Sequence, residues 1–197
     1  AAGVMVVTPY YSKPSQAGVL AHFRAVAAAS DLPVLLYDVP GRTGLRIAWD
    51  TYQRAADVET VVAVKEAVGD FAQGVRLVRE LELAVYSGDD VANLAWLAHG
   101  ATGMISVVGH VAGDQHAAMV EAVRRGDLGT AQEIYHRLLP AAAGIMATPN
   151  YGATTAKAAL QLAGVLDNRR VRMPLLELDE SELAQLRSAL ETAGLLS

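Results

Sequence analysis

The chain has 197 residues, of which 52% are hydrophobic and 6% aromatic, and its formal net charge is -5. This length is enough for one domain with a substantial core, and the acidic balance without a basic run argues against binding to nucleic acid or to anionic membranes. The chain has no cysteine, which excludes disulfides, thiolate metal sites and cysteine nucleophiles. No apolar run reaches membrane-spanning length and the N-terminus has no signal-peptide pattern, so we expect a cytoplasmic protein.

Five short apolar runs, rich in β-branched residues, have the pattern of strands that are buried on both faces. The segments between them have helical periodicity, and Ser15 is a plausible N-cap for the first helix. Strands that alternate with helices predict a parallel sheet with right-handed crossovers. The predicted strands are Val4–Thr8, Val34–Tyr37, Val61–Lys65, Leu83–Tyr86 and Gly103–Val107, and the predicted helices between them are 15–29, 47–56, 70–80 and 90–99.

From Val111 onward the pattern predicts helices alone, over 111–125, 128–147, 153–164 and 181–193. Gly126 is expected to end the first of these helices, and Asp179 or Ser181 is expected to cap the last. We therefore divide the chain into a part with five βα units, 1–126, and a C-terminal helical region, 127–197.

Five consecutive βα units fit either an open doubly wound sheet or part of a TIM (β/α)8 barrel. The residues that follow the first strand, Thr8-Pro9-Tyr10-Tyr11, contain no Gly-rich phosphate loop, which argues against a nucleotide-binding domain. The predicted fold class is therefore α/β, a partial TIM barrel followed by helices. Because five strands cannot close a barrel of eight and the chain starts almost directly on a strand, we expect a fragment that lacks the first three βα units.

Lys65 is the strongest candidate for chemistry. It ends an apolar strand, where a charged amine is unfavourable unless it is paired or has a lowered pKa. A lysine with a lowered pKa is a nucleophile for carbonyl substrates, with which it forms a Schiff base. The alternative is a lysine that ends the strand in solvent or pairs with Glu66, since structural ion pairs also perturb lysines.

Polar side chains also follow the other predicted strands, at the rim where barrel enzymes carry their sites. Tyr37 is either a proton shuttle beside the lysine or an ordinary strand aromatic. Arg42, within the Pro-Gly-Arg-Thr-Gly loop, suits either a substrate carboxylate or a surface ion pair. The adjacent tyrosines Tyr10 and Tyr11 are typical of an interface loop.

Asp89 and Asp90 are expected to cap the following helix rather than to act as acids, because adjacent carboxylates do not face each other across a substrate. His110 and His116 lack i, i+4 spacing and an acidic partner at ligand spacing. We therefore predict no metal site.

Five separate motifs extend over essentially the whole chain: Val7–Pro14, Leu36–Gly44, Val64–Ala67, Tyr86–Asp90 and Gly103–Val107. Together they resemble the pyruvate-dependent class I aldolase family, to which dihydrodipicolinate synthase and N-acetylneuraminate lyase belong. Within this family, the arginine of the Pro-Gly-Arg-Thr-Gly loop favours the synthases over the lyases.

The resemblance implies catalytic roles for three residues. Lys65 would condense with pyruvate to form a Schiff base, and Tyr37 would donate and accept protons near it. Tyr11 would belong to the proton relay and reach into the active site of a neighbouring subunit. No cofactor is implied beyond the covalent lysine–pyruvate adduct.

The resemblance also implies how the substrates and subunits are held. Arg42 would bind the carboxylate of L-aspartate 4-semialdehyde, and Gly88 and the backbone of Ile105 would line the pyruvate pocket. The reaction would serve diaminopimelate and lysine biosynthesis. A homotetramer built as a dimer of dimers is expected, with Tyr10 and Tyr11 near the tight interface.

One family motif is missing. The family carries Gly-Thr-Thr-Gly-Glu on an early strand, where its threonines complete the relay and bind the pyruvate carboxylate, and nothing in this chain matches it. We therefore expect the chain to be unstable or inactive by itself. The alternatives are another pyruvate-dependent aldolase or lyase acting on sugar acids, and an inactive partial barrel that serves as a binding or assembly module.

Overall fold

A computed structural model describes residues 1–148 and 152–196. The chain divides into two compact units, Ala1–Ile105 and Ser106–Ser197. The boundary predicted from the sequence lies after Gly126, so it assigns residues 106–126 to the βα units. This boundary stays a prediction about the domains of the whole protein. Among the described residues, no helix has both the length and the apolar character needed to cross a membrane.

The first unit is built on a parallel sheet in which each strand pairs with the next strand of the chain. A doubly wound sheet reverses its strand order at a switch point, whereas a barrel wall keeps chain order. The observed order therefore confirms the partial-barrel prediction. The strands are β1 (Val4–Val7), β2 (Val34–Asp38), β3 (Val61–Glu66), β4 (Ala84–Ser87) and β5 (Gly103–Met104).

The helices of the first unit follow the strands, and two of them begin at side chains that cap them. Ser15 Oγ accepts a hydrogen bond from the backbone of Gly18 at 3.3 Å, and Asp70 Oδ1 accepts one from Gln73 at 3.0 Å. The helices are α1 (Gln16–Ala27), α2 (Pro40–Thr43), α3 (Trp49–Ala56), α4 (Phe71–Glu80), a 3-10 turn at Asp90–Ala92 and α5 (Asn93–Ala98).

The core of this unit lies between one face of the sheet and these helices. Along β2, Val34, Leu36 and Asp38 are buried while the residues between them are partly exposed, which is the period of two expected for a strand. Leu36 belongs to the same buried cluster as Trp96 of α5. Each large apolar side chain in such a cluster contributes about 1.5–3 kcal/mol through burial.

The described part of the second unit consists of four helices, as the sequence predicts. Asp179 caps the last of them: its Oδ1 accepts from the backbone of Glu182 at 2.8 Å, and the Glu182 carboxylate accepts from the backbone of Asp179 at 3.0 Å. The helices are α6 (Gly109–Arg124), α7 (Leu128–Met146), α8 (Ala153–Leu162) and α9 (Glu180–Thr192). Helix α7 packs against α6 and α9.

Three predicted elements differ from the structure. The last strand was predicted over 103–107 but ends at Met104, because Ser106 Oγ accepts the backbone N–H of Gly109 at 2.7 Å and the chain turns into α6. The helix predicted over 90–99 is divided into a 3-10 turn and α5. The short helix Pro40–Thr43 was not predicted, since a turn rich in proline and glycine gives no helical periodicity.

Substitution of Gly74 by alanine is expected to destabilise the first unit. A Cβ at Gly74 of α4 would overlap the ring of Trp96, which is 1% exposed and has little room to move. Overpacking of this kind lowers the free energy of unfolding by about 1–3 kcal/mol. Urea denaturation measures the change.

The matched control for this substitution is Gly113→Ala in α6, where nothing lies within 4 Å of the added Cβ. Alanine is the better helix former, so this variant should be as stable as the parent or more stable by up to about 1 kcal/mol. Equal stability of the Gly74→Ala variant and its parent would contradict the packing described here.

Candidate functional site

The candidate site lies along one row of residues that crosses the sheet near the carboxyl ends of the strands. In the register of the sheet, Val7 pairs with Tyr37, Tyr37 with Lys65, Lys65 with Tyr86, and Tyr86 with Gly103. Paired residues of neighbouring parallel strands point to the same face. The row therefore brings Tyr37 and Lys65 together, as the sequence analysis predicts.

Lys65 lies over the ring of Tyr37, with its Nζ 4.4 Å from the ring centroid. Partial burial of the amine lowers the pKa of Lys65, because a charged ammonium loses hydration there. The negative charge of Asp90 acts in the opposite direction and raises that pKa, but less than burial lowers it. Partial burial therefore favours the neutral form of Lys65, the form that can act as a nucleophile, more than full hydration would.

Asp90 is a site residue that sequence reasoning missed. Asp89 caps the 3-10 turn as expected, since its Oδ1 accepts from the backbone of Val91 at 3.2 Å. Asp90, however, is buried inside that turn and its Oδ1 accepts from Asn93 Nδ2 at 3.1 Å. The sequence shows that Asp90 follows a predicted strand. The burial of its side chain depends on the 3-10 turn, which the hydrophobic periodicity does not predict.

Gly88 lies against the lysine and admits no side chain. A Cβ there would lie 3.0 Å from Lys65 Cε and 2.8 Å from the carbonyl oxygen of Glu66, to which Gly88 also donates its backbone N–H at 2.7 Å. Ile105, the other residue predicted to line the pocket, donates its N–H to Ser87 at 2.8 Å. Any side chain at Gly88 would therefore press against the side chain of Lys65.

Arg42 and Tyr11 lie in loops that follow β2 and β1. Arg42 is an exposed residue of α2, which ends at Gly44 with a positive φ of 75°. A position with this φ favours glycine, since a Cβ is strained in the left-handed region. Tyr11 has a φ of 59° and is 94% exposed, and Tyr10 is 67% exposed. The first unit thus presents both tyrosines to solvent and does not bury Tyr11 beside Lys65.

The opposite face of the same strand ends carries two buried carboxyls, Asp38 and Glu66, which pair in the register of β2 and β3. Asp38 Oδ2 accepts hydrogen bonds from the backbone of Ile47 and from the hydroxyl of Tyr52, both at 3.0 Å. Burial raises the pKa of Asp38 to about 6, although these hydrogen bonds act in the opposite direction.

Glu66 holds the turn that follows β3. Its carboxylate accepts the backbone N–H groups of Val68 at 3.0 Å, Gly69 at 3.1 Å and Asp70 at 3.4 Å. Burial raises the pKa of Glu66, the three hydrogen bonds lower it, and the neighbouring Asp38 adds a further rise. The predicted alternative of an ion pair between Lys65 and Glu66 is wrong, because the two side chains point to opposite faces of the strand.

A metal site and a cavity in the second unit are the alternatives to a site at the strand ends. Among the described residues, no group of three or more His, Asp or Glu side chains is placed to hold a metal ion. In the second unit a largely apolar cavity of about 440 Å³ is lined by His110, Lys157 and neighbouring residues. Lys157 Nζ donates to the carbonyl of Arg170 at 2.7 Å, so this lysine is engaged as a donor, and the chemistry points to the strand ends instead.

Comparison with known proteins agrees with the geometry. The sequence profile of the dihydrodipicolinate synthetase family matches residues 1–193. A 4-hydroxy-tetrahydrodipicolinate synthase of Kineococcus radiotolerans is 53% identical over 193 residues, covering 98% of this chain and 62% of the relative. That of Acidothermus cellulolyticus is 49% identical over 192 residues, covering 98% and 61%. The chain therefore spans less than two thirds of the length of these curated relatives.

A solved structure is also similar. The crystal structure of the chloride-inhibited dihydrodipicolinate synthase from Acinetobacter baumannii, complexed with pyruvate, superposes with a TM-score of 0.92 at 35% sequence identity. The match covers 100% of this chain and 67% of that chain.

Replacement of Asp90 by asparagine is expected to lower the pKa of Lys65 further. The variant removes the negative charge that favours the ammonium form, while its amide oxygen can still accept from Asn93. Lys65 should then react faster at neutral pH with a small acylating reagent. The pH dependence of acylation, mapped by mass spectrometry, gives the pKa, and the exposed Lys13 serves as internal reference. An unchanged or raised pKa would contradict the assigned role of Asp90.

The stability of the chain should depend on the ionisation of Asp38. The folded chain holds this proton more tightly than the unfolded chain, because the pKa rises from 3.8 to about 6 on folding. The contribution is therefore fully present below pH 3.8 and is lost as the pH rises to about 6, by on the order of 3 kcal/mol. Besides burial, the groups that act on the pKa of Asp38 are the backbone N–H of Ile47, the Tyr52 hydroxyl and Arg46, and all three lower it.

The Asp38→Asn variant, which cannot titrate, isolates this contribution. The difference in free energy of unfolding between parent and variant, measured with urea from pH 4 to pH 7, should fall along this interval. A difference that stays constant with pH would show that Asp38 does not titrate there.

Proposed function

The chain belongs to the dihydrodipicolinate synthetase family, and on this premise we propose that Lys65 is the Schiff-base lysine of a 4-hydroxy-tetrahydrodipicolinate synthase, which condenses pyruvate with L-aspartate 4-semialdehyde. The observation that carries the proposal is the position of the Lys65 amine, 4.4 Å from the centroid of the Tyr37 ring. Partial burial also lowers the pKa of this amine. The names of the relatives and the pyruvate complex of one of them support the choice of substrates.

The chemistry proceeds through a covalent adduct. The neutral amine of Lys65 attacks the ketone carbon of pyruvate, water leaves, and a protonated imine results. Loss of a proton from the methyl carbon gives an enamine, and this carbon forms the new bond to the aldehyde of the second substrate. Tyr37 accepts and returns the protons, since its ring lies beside the amine. The imine is the electron sink, so no separate cofactor is required.

Arg42 supplies the specificity for the second substrate. Its guanidinium can hold a carboxylate with two parallel hydrogen bonds, which a polyol aldehyde acceptor without a carboxylate does not need. The exposed position of Arg42 in α2, after β2, supports a role in holding a ligand near the carboxyl ends of the strands. This residue therefore favours aspartate semialdehyde over sugar acids.

The whole protein is proposed to act as a cytoplasmic homotetramer, a dimer of dimers. The exposure of Tyr10 and Tyr11 supports an interface on this loop, because large aromatic side chains anchor subunit contacts. Tyr11 is proposed to complete the proton relay of a neighbouring subunit.

Pyruvate trapping tests the proposal directly. Imine formation requires the amine of Lys65 and not the missing threonine motif, so a chain that is inactive in the full condensation can still react with pyruvate. Incubation of the chain with pyruvate and borohydride should add one reduced pyruvyl group to Lys65, which intact mass and peptide mapping detect. The Lys65→Ala variant should lose the adduct. Lys65→Arg, which keeps the positive charge, should also lose it, because the guanidinium stays protonated and is not a nucleophile.

Specific reaction must be distinguished from general amine chemistry. The chain has two further lysines, Lys13 and Lys157, which serve as internal controls. An adduct distributed over these lysines, or one that persists in both Lys65 variants, would refute the assignment of Lys65.

A further inference from the structure

The loop that carries Arg42 is closed on itself by a side chain from its own base. Asp38, the last residue of β2, accepts the backbone N–H of Ile47 at 3.0 Å, across nine residues of chain. Tyr52 of α3 donates its hydroxyl to the same carboxylate oxygen at 3.0 Å. Asp38, Ile47 and Tyr52 are each 0% exposed, so water does not compete for these bonds.

A smaller closure lies inside this loop. The buried Thr43 donates its hydroxyl to Leu45 at 2.8 Å, and the backbone N–H of Arg42 donates to Val39 at 2.8 Å. These bonds make α2 a compact turn. The place of this turn relative to the sheet is then set by the end of β2 and by bonds at and beside Ile47. Gln16 of α1 holds the carbonyl of Arg46 and the N–H of Ala48, both at 2.9 Å, in an exposed position. The bond from Ile47 to Asp38 is the buried one.

Asp38 also connects the loop to the strand that carries the lysine. Its carbonyl oxygen accepts the backbone N–H of Ala67 at 3.0 Å, two residues after Lys65. Asp38 therefore bonds to two places: its backbone carbonyl holds the end of β3, and its side chain holds the far end of the Arg42 loop.

We propose that Asp38 is a positioning residue for the second substrate: by closing the loop at Ile47, it holds Arg42 at the separation from Lys65 that the carboxylate of a short semialdehyde requires. The inference rests on the proposed function, because that function assigns the carboxylate to Arg42. Glu66, the neighbouring buried carboxyl, bonds directly to the turn at 68–70. That turn reaches the Arg42 loop through the solvent-exposed ion pair of Asp70 with Arg46 at 2.9 Å, and an exposed pair of this kind contributes little. Removal of Glu66 should therefore affect the loop less than removal of Asp38.

The test measures two ligands on the same variants. Pyruvate is followed by borohydride trapping on Lys65. The second site is followed with 4-hydroxybutanoate, titrated by NMR into the pyruvate-trapped chain. This unreactive analogue keeps the carboxylate, carries an alcohol in place of the aldehyde and lacks the amino group of the substrate. The variants are Asp38→Ala, Asp38→Asn and, as the matched truncation on the neighbouring strand, Glu66→Ala.

Asp38→Ala should raise the Kd of 4-hydroxybutanoate about tenfold, because the loop loses its buried closure. The trapped fraction with pyruvate should stay within about twofold. Asp38→Asn should restore the Kd, since its amide oxygen can accept from Ile47 and Tyr52. Glu66→Ala should show no selective loss of 4-hydroxybutanoate.

Three results would overturn the proposal. They are an equal loss of both ligands in Asp38→Ala, no loss of either, and a folded Asp38→Asn variant that fails to restore the Kd. A selective loss in Glu66→Ala as large as that in Asp38→Ala would do the same, because it would assign the effect to any buried carboxyl.

Failure of the proposed function is recognised separately. If the parent chain traps no pyruvate and binds no 4-hydroxybutanoate, the proposed function fails for this chain, and hydrogen exchange of the Ile47 amide then decides about Asp38. Faster exchange in Asp38→Ala that Asp38→Asn reverses would support the closure of the loop. Unchanged exchange would refute it.

Discussion

The pairing of β2 with β3 determines the rest of the candidate site. Parallel register places Tyr37 beside Lys65 and, one residue later, Asp38 beside Glu66. Because successive side chains of a strand point to opposite faces, the first pair faces the site and the second pair faces the helices. The same strand register therefore explains two features: the contact of Lys65 with Tyr37 on one face, and the loops held by Asp38 and Glu66 on the other.

Burial acts on both pairs, with opposite effects on charge. It lowers the pKa of Lys65 and so favours the reactive neutral amine, while it raises the pKa of Asp38 and Glu66. On the face toward the helices, hydrogen bonds from backbone N–H groups offset part of the rise in pKa that burial causes for Asp38 and Glu66. On the site side, the charge of Asp90 limits how far the pKa of Lys65 falls. The pKa of Lys65 is therefore a balance between desolvation and the charge of Asp90.

Much of this arrangement could be predicted from the sequence. The apolar runs that end in Tyr37 and Lys65 give the strands and their polar termini, and the order of these runs gives the partial barrel. The positions of Asp38 and Glu66 could also be predicted. They directly follow Tyr37 and Lys65, and because side chains alternate along a strand, they must face the helices. Asp90 could not be placed, because its burial depends on a 3-10 turn that has no periodicity of its own.

The opposed pairs make the length of β3 critical for any evolutionary or engineered change. A single residue inserted before Lys65 would rotate the strand end by half a period, so that the amine would face the helices and the carboxylate of Glu66 would face Tyr37. Insertions in the exposed loops before and after the strand leave this parity untouched. Length variation is therefore excluded from the strands, where one residue more or less exchanges the nucleophilic amine for the carboxyl of Glu66.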